Sequence, residues 1–186
     1  RARVRYVERH YGEGDGMGEN IMNPTTVVEM DADSYLEMET TQITGVDSTA
    51  RTPKATPGPR ATLNIKEKVM THGKQLAKSD FTVDLNGEDC HTNVISRSVA
   101  RDQSHQVFLA RINGNARCYG HSECDAIIMD QGVVAAIPEV TANCVDASLV
   151  HEAAIGKIAG EQLIKLMTLG LTEKEAEEQI VKGFLK

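Results

Sequence analysis

The 186-residue sequence predicts a mainly β protein that ends in a helical hairpin. Up to about Thr141, short β-branched or alternating segments are separated by turn residues, and after Leu149 the apolar residues take helical spacing. Strands that recur every ~8–12 residues are typical of a sandwich, a barrel or a solenoid, and the repetition is too weak to give a fixed period. The aromatic content of only 4% favours a solenoid, whose narrow core holds small and aliphatic side chains.

The β region is predicted to span residues 1–149. Val4, Tyr6 and Val7 already alternate like a strand, and because the sequence begins at Arg1 without Met, we expect an N-terminal portion to be missing. Further strands are predicted in TTVVEM, SYLEMETTQI, ATLNIKEKVM, DFTVDL, TNVISRSV, QVFLARI and ECDAIIM. The breaks between them are GEGDGMGEN, DAD, TPGP, LNGED and INGNA, which are rich in Gly, Asn, Asp or Pro.

Residues 150–186 are predicted to form a C-terminal helical segment. Its first helix covers residues 160–169, and Gly170 is expected to end it. The second helix follows a capping box in which the Thr172 hydroxyl serves an exposed amide and Glu175 reaches back. Such a hairpin either packs on its own β domain or presents a face to a partner. Its apolar positions are Leu163, Ile164, Met167, Ala176, Ile180, Val181 and Phe184.

The composition excludes several function classes. The net charge of −7, the scattered Lys and Arg residues and the few aromatics argue against a nucleic-acid surface. No apolar run approaches the ~20 residues of a membrane span, and no signal peptide is visible. The four cysteines form no Cys-x-x-Cys pair, which excludes a zinc ribbon or a thioredoxin motif. We expect reduced thiols in a cytoplasmic protein rather than a disulfide framework.

Several familiar motifs are incomplete. VHEAAIGKI, Val150–Ile158, begins like the His-Glu-x-x-His helix of zinc proteases, but Ile155 replaces the second histidine. IGKI lacks the spacing of a P-loop, so the chain is not expected to bind ATP in that way, and no Gly-x-Ser-x-Gly elbow is present. GEGDGMG is not followed by a helical pattern, which favours a flexible loop over a phosphate cradle.

The segment CYGHSECDAIIMD offers a candidate thiol site. As a strand it places Cys118 and Cys124 on a narrow, inward face and His121 and Glu123, with Tyr119 and Asp125, on the other. Both cysteines can be ordinary core residues. Alternatively, a thiolate here binds a soft metal such as iron together with the nearby His151-Glu152 pair, because iron sites use thiolate and imidazole ligands. That pair can equally be a boundary histidine and a helix-capping glutamate.

The segments NVISRSV, ECDAIIMD and HEAAIGKIAGEQLIKLMTLGLTEKEAEEQIVKGFL resemble the SufB/SufD family of iron–sulfur cluster assembly proteins. The resemblance covers nearly the whole chain, is most specific over residues 93–185 and is closest to SufB, including the short form that occurs without SufD. It implies a right-handed parallel β-helix followed by a helical segment. It also implies a scaffold on which a transient cluster, expected to be [4Fe–4S], is formed.

The resemblance also implies partners. An ABC-type ATPase, SufC, would hydrolyse ATP, so no nucleotide is expected to bind this chain directly and the chain is expected to be a scaffold rather than an enzyme. A second copy or a SufD-like subunit is expected as a dimer partner, and a sulfur donor protein is a further candidate. Neither nucleic acid nor membrane is expected. The residues expected to dock on the ATPase are Leu163, Ile164, Met167, Ile180 and Phe184.

The resemblance assigns site residues as well. Cys124 stands where SufB-like members hold the nascent cluster, and His151-Glu152 matches their His-Glu pair, whereas SufD-type members have Gly after the histidine. Cys124, His151 and Glu152 are therefore the expected iron ligands, and no catalytic residue is expected. The weaker imidazole and carboxylate ligands would allow the cluster to be released.

The route of sulfur entry stays open at this point. Larger SufB proteins accept sulfur at an upstream cysteine, and this sequence has no cysteine before Cys90. Sulfur would enter at Cys90, at a residue preceding Arg1, or as free sulfide. Cys118 and Cys144 are weaker candidates, and Cys144 could face the same site because it lies seven residues before His151.

Two other functions compete with the scaffold. A SufD-like structural subunit would only brace the ATPase dimer, and the pairing of Cys124 with Glu152 argues against it. A solenoid enzyme that cleaves polysaccharides would use paired carboxylates. The absence of Trp and the presence of only three Phe residues leave such an enzyme without aromatic sugar platforms.

Overall fold

The computed structural model describes residues 1–13 and 18–186. Within these ranges, the chain forms a parallel β-solenoid of about five turns with two C-terminal helices, which confirms the predicted fold class. The loop expected at GEGDGMG includes residues 14–17, which lie outside the described ranges. The elements are β1 (Arg3–Tyr11), β2 (Ile21–Met22), β3 (Val27–Met30), β4 (Tyr35–Thr44), β5 (Ser48–Arg51), β6 (Lys54–Pro57), β7 (Thr62–Thr71), β8 (Leu76–Leu85), β9 (Cys90–Ala100), β10 (His105–Gly114), β11 (Cys118–Ile128), β12 (Val133–Ala142), β13 (Ala147–Gly156), α1 (Gly160–Thr168) and α2 (Glu173–Phe184).

The strands lie in two parallel sheets. The first has the order β1-β4-β7-β9-β11-β13, and the second has the order β12-β10-β8-β5-β2, with β6 beside β8 and β3 beside β6. In the first sheet Cys90 pairs with Cys118 and Cys118 pairs with Ala147, so that successive coils are 28 and 29 residues apart. The sequence does not reveal this period, because only the alternation of inward and outward positions repeats and not the residues themselves.

The core fills the narrow space between the two sheets. Its buried side chains are mostly aliphatic and small, as the low aromatic content predicts, with Phe81 and Phe108 packed at a ring-centroid distance of 5.7 Å. The space is narrow at Gly120 of β11. A Cβ atom added there would lie 2.8 Å from the Leu149 side chain and 2.9 Å from that of Ile112, so a larger residue would push neighbouring coils apart.

The turns stack along one edge of the solenoid. Asn115 donates its side-chain amide to Asn86 at 2.7 Å, and Asn143 donates to Asn115 at the same distance. These residues come from successive coils, so the hydrogen bonds between them satisfy the side-chain amides of the turns and fix the register of one coil on the next. The Asn residues of the predicted LNGED and INGNA breaks therefore stabilise the stacking of the coils.

The strand predictions were correct in part. The segments predicted as strands lie in β1, β3, β4 and β7–β11, whereas β2, β5, β6, β12 and β13 were not predicted. β13 is rich in Ala and has little intrinsic strand preference, and β12 has β-branched residues that are interrupted by Ala and Pro138 and do not alternate with polar ones; both strands are fixed by pairing with β10 and β11. His151 and Glu152 lie inside β13, which corrects their interpretation as a boundary pair. The division into residues 1–149 and 150–186 stays a prediction.

The helical hairpin forms as predicted. Gly170 has a φ of +96° after α1, which a residue with a side chain rarely adopts. At α2 the Thr172 hydroxyl accepts from the Glu175 amide, and the Glu175 carboxylate accepts from the Thr172 amide at 2.8 Å. α2 packs on the solenoid through Val181, which is buried against Val99 and Met129. Within the described residues, no helix is long and apolar enough to span a membrane.

The last coil leaves the end of the solenoid open. Inward positions of β10 and β11 are buried, but the positions stacked on them in β12 and β13 have no further coil above them. Val140, stacked on Ile112, is 46% exposed, and Ile155, stacked on Ala126, is 39% exposed. An apolar interior surface therefore faces solvent at this end.

Candidate functional site

The candidate residues lie on β11 and β13, the last two strands of the first sheet. In β11, Cys118 and Cys124 point inward and are buried, while His121 and Glu123 point outward, as the alternation predicts. The register pairs Ser122 with His151, Glu123 with Glu152 and Cys124 with Ala153. The two faces of this sheet therefore carry different chemical groups.

The three expected iron ligands do not form one cluster. Cys124 and His151 belong to the inner face, on neighbouring coils, and Glu152 belongs to the outer face. The structure does not bring the three together, because successive side chains of a strand point to opposite faces of the sheet. His151 and Glu152 are adjacent in the chain, but their side chains lie on opposite faces of the sheet.

Cys124 lies in a polar column inside the solenoid. Thr40, Glu67, Ser96 and Cys124 stack in register on four successive strands of the first sheet. Burial raises the pKa of the Cys124 thiol to about 12, and the negative charge of Glu67 adds to this shift. The thiol is therefore fully protonated at neutral pH in the closed solenoid, and it needs access to solvent or to a metal ion before it becomes a thiolate ligand.

His151 is half-buried on the inner face of the last coil. Burial lowers the pKa of its imidazole, and the nearby His121 acts in the same direction while Glu152 opposes both. Its Nδ1 atom is buried and has no hydrogen-bond partner among the described residues. A neutral imidazole with an unused nitrogen is available as a metal ligand.

The outer face holds a cluster that the sequence did not reveal. One ligand atom each from His121, Glu123 and Glu152 lies within 4.8 Å of the other two. The His121 Nδ1 atom lies 2.7 Å from the Asn93 Oδ1 atom, and His121 Nε2 lies 4.0 Å from a Glu152 oxygen. Burial is the main cause that raises the pKa of the Glu123 carboxyl, and its hydrogen bond with Asp125 raises it further. The alternation of β11 predicts the common face of the first two residues, but only the register adds Glu152.

The other three thiols lie at the opposite end of the strands. Cys90 and Cys118 are paired in register and buried, and Cys144 is half-buried in the turn before β13. Burial is the main cause that raises the pKa of the Cys90 thiol to about 11, and the nearby Cys118 adds to it. Burial also raises the pKa of the Cys118 thiol. Six residues separate Cys118 from Cys124, or roughly 20 Å along a strand. Cys144 therefore does not face the Cys124 site, in contrast to the expectation.

The predicted docking residues divide between the two helices. On α1, Ile164 is 63% exposed and Met167 is 43% exposed, while Leu163 is half-buried. On α2, Ile180 and Phe184 are half-buried, and Phe184 packs with the cluster under that helix. Apolar surface free for a partner is thus concentrated on α1.

Comparison with known proteins identifies the family. The model of the SufBD core domain of the SUF system for iron–sulfur cluster assembly matches residues 2–184. The chain belongs to the SufBD family. An iron–sulfur cluster assembly SufBD family protein of Methanocaldococcus jannaschii is 33% identical over 186 residues, which cover 99% of this chain and 58% of that protein. The chain thus spans a little over half the length of this relative.

Further relatives match shorter parts of the chain. A SufBD family protein of Methanothermobacter thermautotrophicus is 36% identical over 103 residues, covering 54% of this chain and 25% of that protein. One from Pyrococcus horikoshii is 36% identical over 127 residues, covering 63% of this chain and 28% of that protein. All three are named as iron–sulfur cluster assembly proteins, which connects the family to this process.

Proposed function

We propose that this SufBD protein is a cytoplasmic scaffold subunit that holds a nascent iron–sulfur cluster, with Cys124 as its thiolate ligand. The observation that carries the proposal is the position of Cys124, one coil below the open end of the solenoid. The residue stacked above it is Ala153, whose exposed side chain is only a methyl group. A small displacement of β13 would thus uncover the thiol.

The last coil is suited to such a displacement. Most of the residues of β12 and β13 are exposed, and low burial is a mark of segments that open locally at little cost in free energy. Once Cys124 is uncovered, solvation removes the main cause of its raised pKa, and an iron ion favours the thiolate further. The unused Nδ1 of His151 lies on the same inner face and is the proposed second ligand.

A single thiolate with imidazole or carboxylate ligands suits a scaffold that must release its product. Iron–sulfur clusters that stay in a protein are held by four cysteine thiolates, or by a mixed cysteine and histidine set. Here Cys90, Cys118 and Cys144 lie too far along the strands to complete such a shell around Cys124. The proposed cluster, of the [4Fe–4S] type, is therefore transient.

We further propose that ATP hydrolysis belongs to a SufC-type ABC ATPase that docks on α1. The exposed Ile164 and Met167 support this docking face, with Leu163 at its edge. On α2, Phe184 packs on the solenoid and Ile180 is half-buried, so these two would contribute less of the face. Sulfur would arrive as sulfide or from a donor protein. The cysteine most accessible to a donor is the half-buried Cys144, which lies beside Cys90 and Cys118.

One observation favours the alternative of a SufD-like structural subunit. Cys124 is completely buried and Glu152 lies on the other face, so their pairing no longer argues against a purely bracing role. Anaerobic reconstitution with iron and sulfide separates the two functions. The scaffold predicts a broad visible charge-transfer absorption that is lost in air, whereas a bracing subunit stays colourless and still co-purifies with the ATPase.

A further inference from the structure

Three side chains of metal-ligand type converge on the outer face of the last two coils. His121 and Glu123 are two residues apart on β11, and strand alternation directs both outward. The register places Glu152 of β13 directly beside Glu123. Their ligand atoms lie within 4.8 Å of one another, so one imidazole and two carboxylates meet without any thiol.

The histidine ring is oriented for coordination. Its Nδ1 atom lies 2.7 Å from the Asn93 side-chain oxygen, and because an amide oxygen only accepts hydrogen bonds, the ring proton is on Nδ1. The lone pair of Nε2 is then free, and this atom faces the Glu152 carboxylate at 4.0 Å. Metal-binding histidines are commonly held in this way, with the distal nitrogen donating to a neighbouring oxygen.

The distances require only a small contraction. Nitrogen and oxygen ligands lie about 2.1 Å from a first-row divalent ion, so two ligands of one ion are at most about 4.2 Å apart. The Glu152 side chain is 67% exposed and can rotate towards the ring without repacking the core. Arg97 of β9 is in register with Asp125, and its positive charge acts on Glu123 and favours the ionised carboxylate that a metal ion needs.

We propose that His121, Glu123 and Glu152 form a binding site for a divalent first-row metal ion on the outer face of the solenoid, separate from the interior Cys124. One nitrogen and two oxygen ligands leave coordination positions open to water, and this ligand set suits Fe²⁺, Mn²⁺, Co²⁺ or Zn²⁺ rather than a soft ion such as Cu⁺. The assignment of Fe²⁺ as its natural ion rests on the proposed function, since cluster assembly consumes iron.

Titration of the untagged full-length protein with Co²⁺ tests the site, followed by d–d absorption and by calorimetry. The wild type is expected to bind one equivalent through these residues. His121→Ala should weaken this binding at least tenfold, and Asn93→Ala should weaken it about 10- to 100-fold through loss of the ring's support. His91→Ala is the matched control, because His91 is an exposed imidazole of β9, in register with Tyr119 on the same face.

The outcomes separate this site from the scaffold function. Co²⁺ affinity that is unchanged in His121→Ala, or that falls equally in His91→Ala, overturns the metal site even if a cluster assembles. Co²⁺ binding that depends on His121 and persists in Cys124→Ala supports the metal site even if reconstitution gives no cluster. Equal thermal unfolding midpoints of the variants exclude misfolding as the cause of a loss.

Discussion

At the scale of single residues, the Glu67 carboxylate is the best-satisfied charge in the solenoid interior. Arg51 donates to one of its oxygens at 2.7 Å, Ser79 donates to the same oxygen, and Ser96 donates to the other at 3.0 Å. Both members of the ion pair are at most 3% exposed. Because the pair lies in the polar column that ends at Cys124, it sets the electrostatic environment of the proposed ligand.

Removal of the Glu67 charge should destabilise the protein strongly. In Glu67→Gln, Arg51 keeps its charge in a buried site without a counter-ion, and the free energy of unfolding should fall by about 3–5 kcal/mol. The control is Glu39→Gln, which removes a half-buried carboxylate paired with Lys68 and the exposed Arg5 and should cost less, about 1 kcal/mol, because water still reaches the pair. Urea unfolding followed by circular dichroism measures both, and equal shifts would contradict the role of the buried pair.

The raised pKa of Cys124 predicts low reactivity towards alkylating agents. Only the thiolate reacts, and a pKa of about 12 leaves about one molecule in 10⁴ ionised at pH 8. Because the pKa is raised, the thiolate fraction and the rate should increase as the pH rises from 8 to 10. Residue-resolved mass spectrometry after iodoacetamide treatment should show Cys144 modified long before Cys124. Comparable rates would mean that Cys124 is already accessible without opening of the last coil.

At the scale of elements, the capping box shows how the sequence controls the start of α2. Thr172 and Glu175 satisfy each other's backbone amides, and these hydrogen bonds lower the pKa of the Glu175 carboxyl. Because folding lowers this pKa, the Glu175 carboxylate stabilises the helix at pH values above its unfolded pKa near 4.3. This contribution is lost as the pH falls through the pKa of the folded protein.

Loss of the cap should loosen the helical tail. Thr172→Ala removes the side-chain acceptor for the Glu175 amide and should lower stability by about 1 kcal/mol. Thr168→Ala, at the exposed end of α1, removes only a hydroxyl that donates to the Lys165 carbonyl and should change stability by less than about 0.5 kcal/mol. Amide hydrogen exchange in α2 compares the two, and similar protection in both variants would show that packing of Val181 alone holds the helix.

The elements also show what the sequence could and could not predict. Segments with β-branched or alternating residues, such as TNVISRSV, and the capping box at Thr172 carry local signals and were predicted correctly. β12 and β13 carry only weak signals, since their Ala residues and Pro138 interrupt any alternation, and their strand conformation depends on pairing with the preceding coil. For the same reason the sequence placed His121 and Glu123 on one face but did not bring Glu152 to them.

At the scale of the whole molecule, the open end of the solenoid is the natural place for a dimer contact. The last coil exposes the apolar Ile155 and Val140 at inward positions, and it also has a free sheet edge at β13. A second copy or a SufD-like subunit covering this end would also shield Cys124, which is one coil below it.

Charge at the open end should therefore prevent association. If the full-length protein dimerises through this end, Ile155→Asp is expected to leave it monomeric at micromolar concentration, because burial of the new carboxylate at the interface is unfavourable. Ile164→Asp on α1 is the control and should leave the dimer intact while it weakens docking of the ATPase. Sedimentation velocity measures the association, and a dimer that persists in Ile155→Asp would place the interface elsewhere.

The most direct test of the central claim is the ⁵⁷Fe bound per protein after anaerobic reconstitution, with its Mössbauer spectrum, in wild type and variants. If Cys124 holds the nascent cluster, Cys124→Ala loses the cluster signal and His151→Ala reduces it, whereas Cys90→Ala, whose thiol lies at the other end of the strands, keeps the wild-type signal. Wild-type cluster yields in both Cys124→Ala and His151→Ala would contradict the scaffold function proposed for this chain.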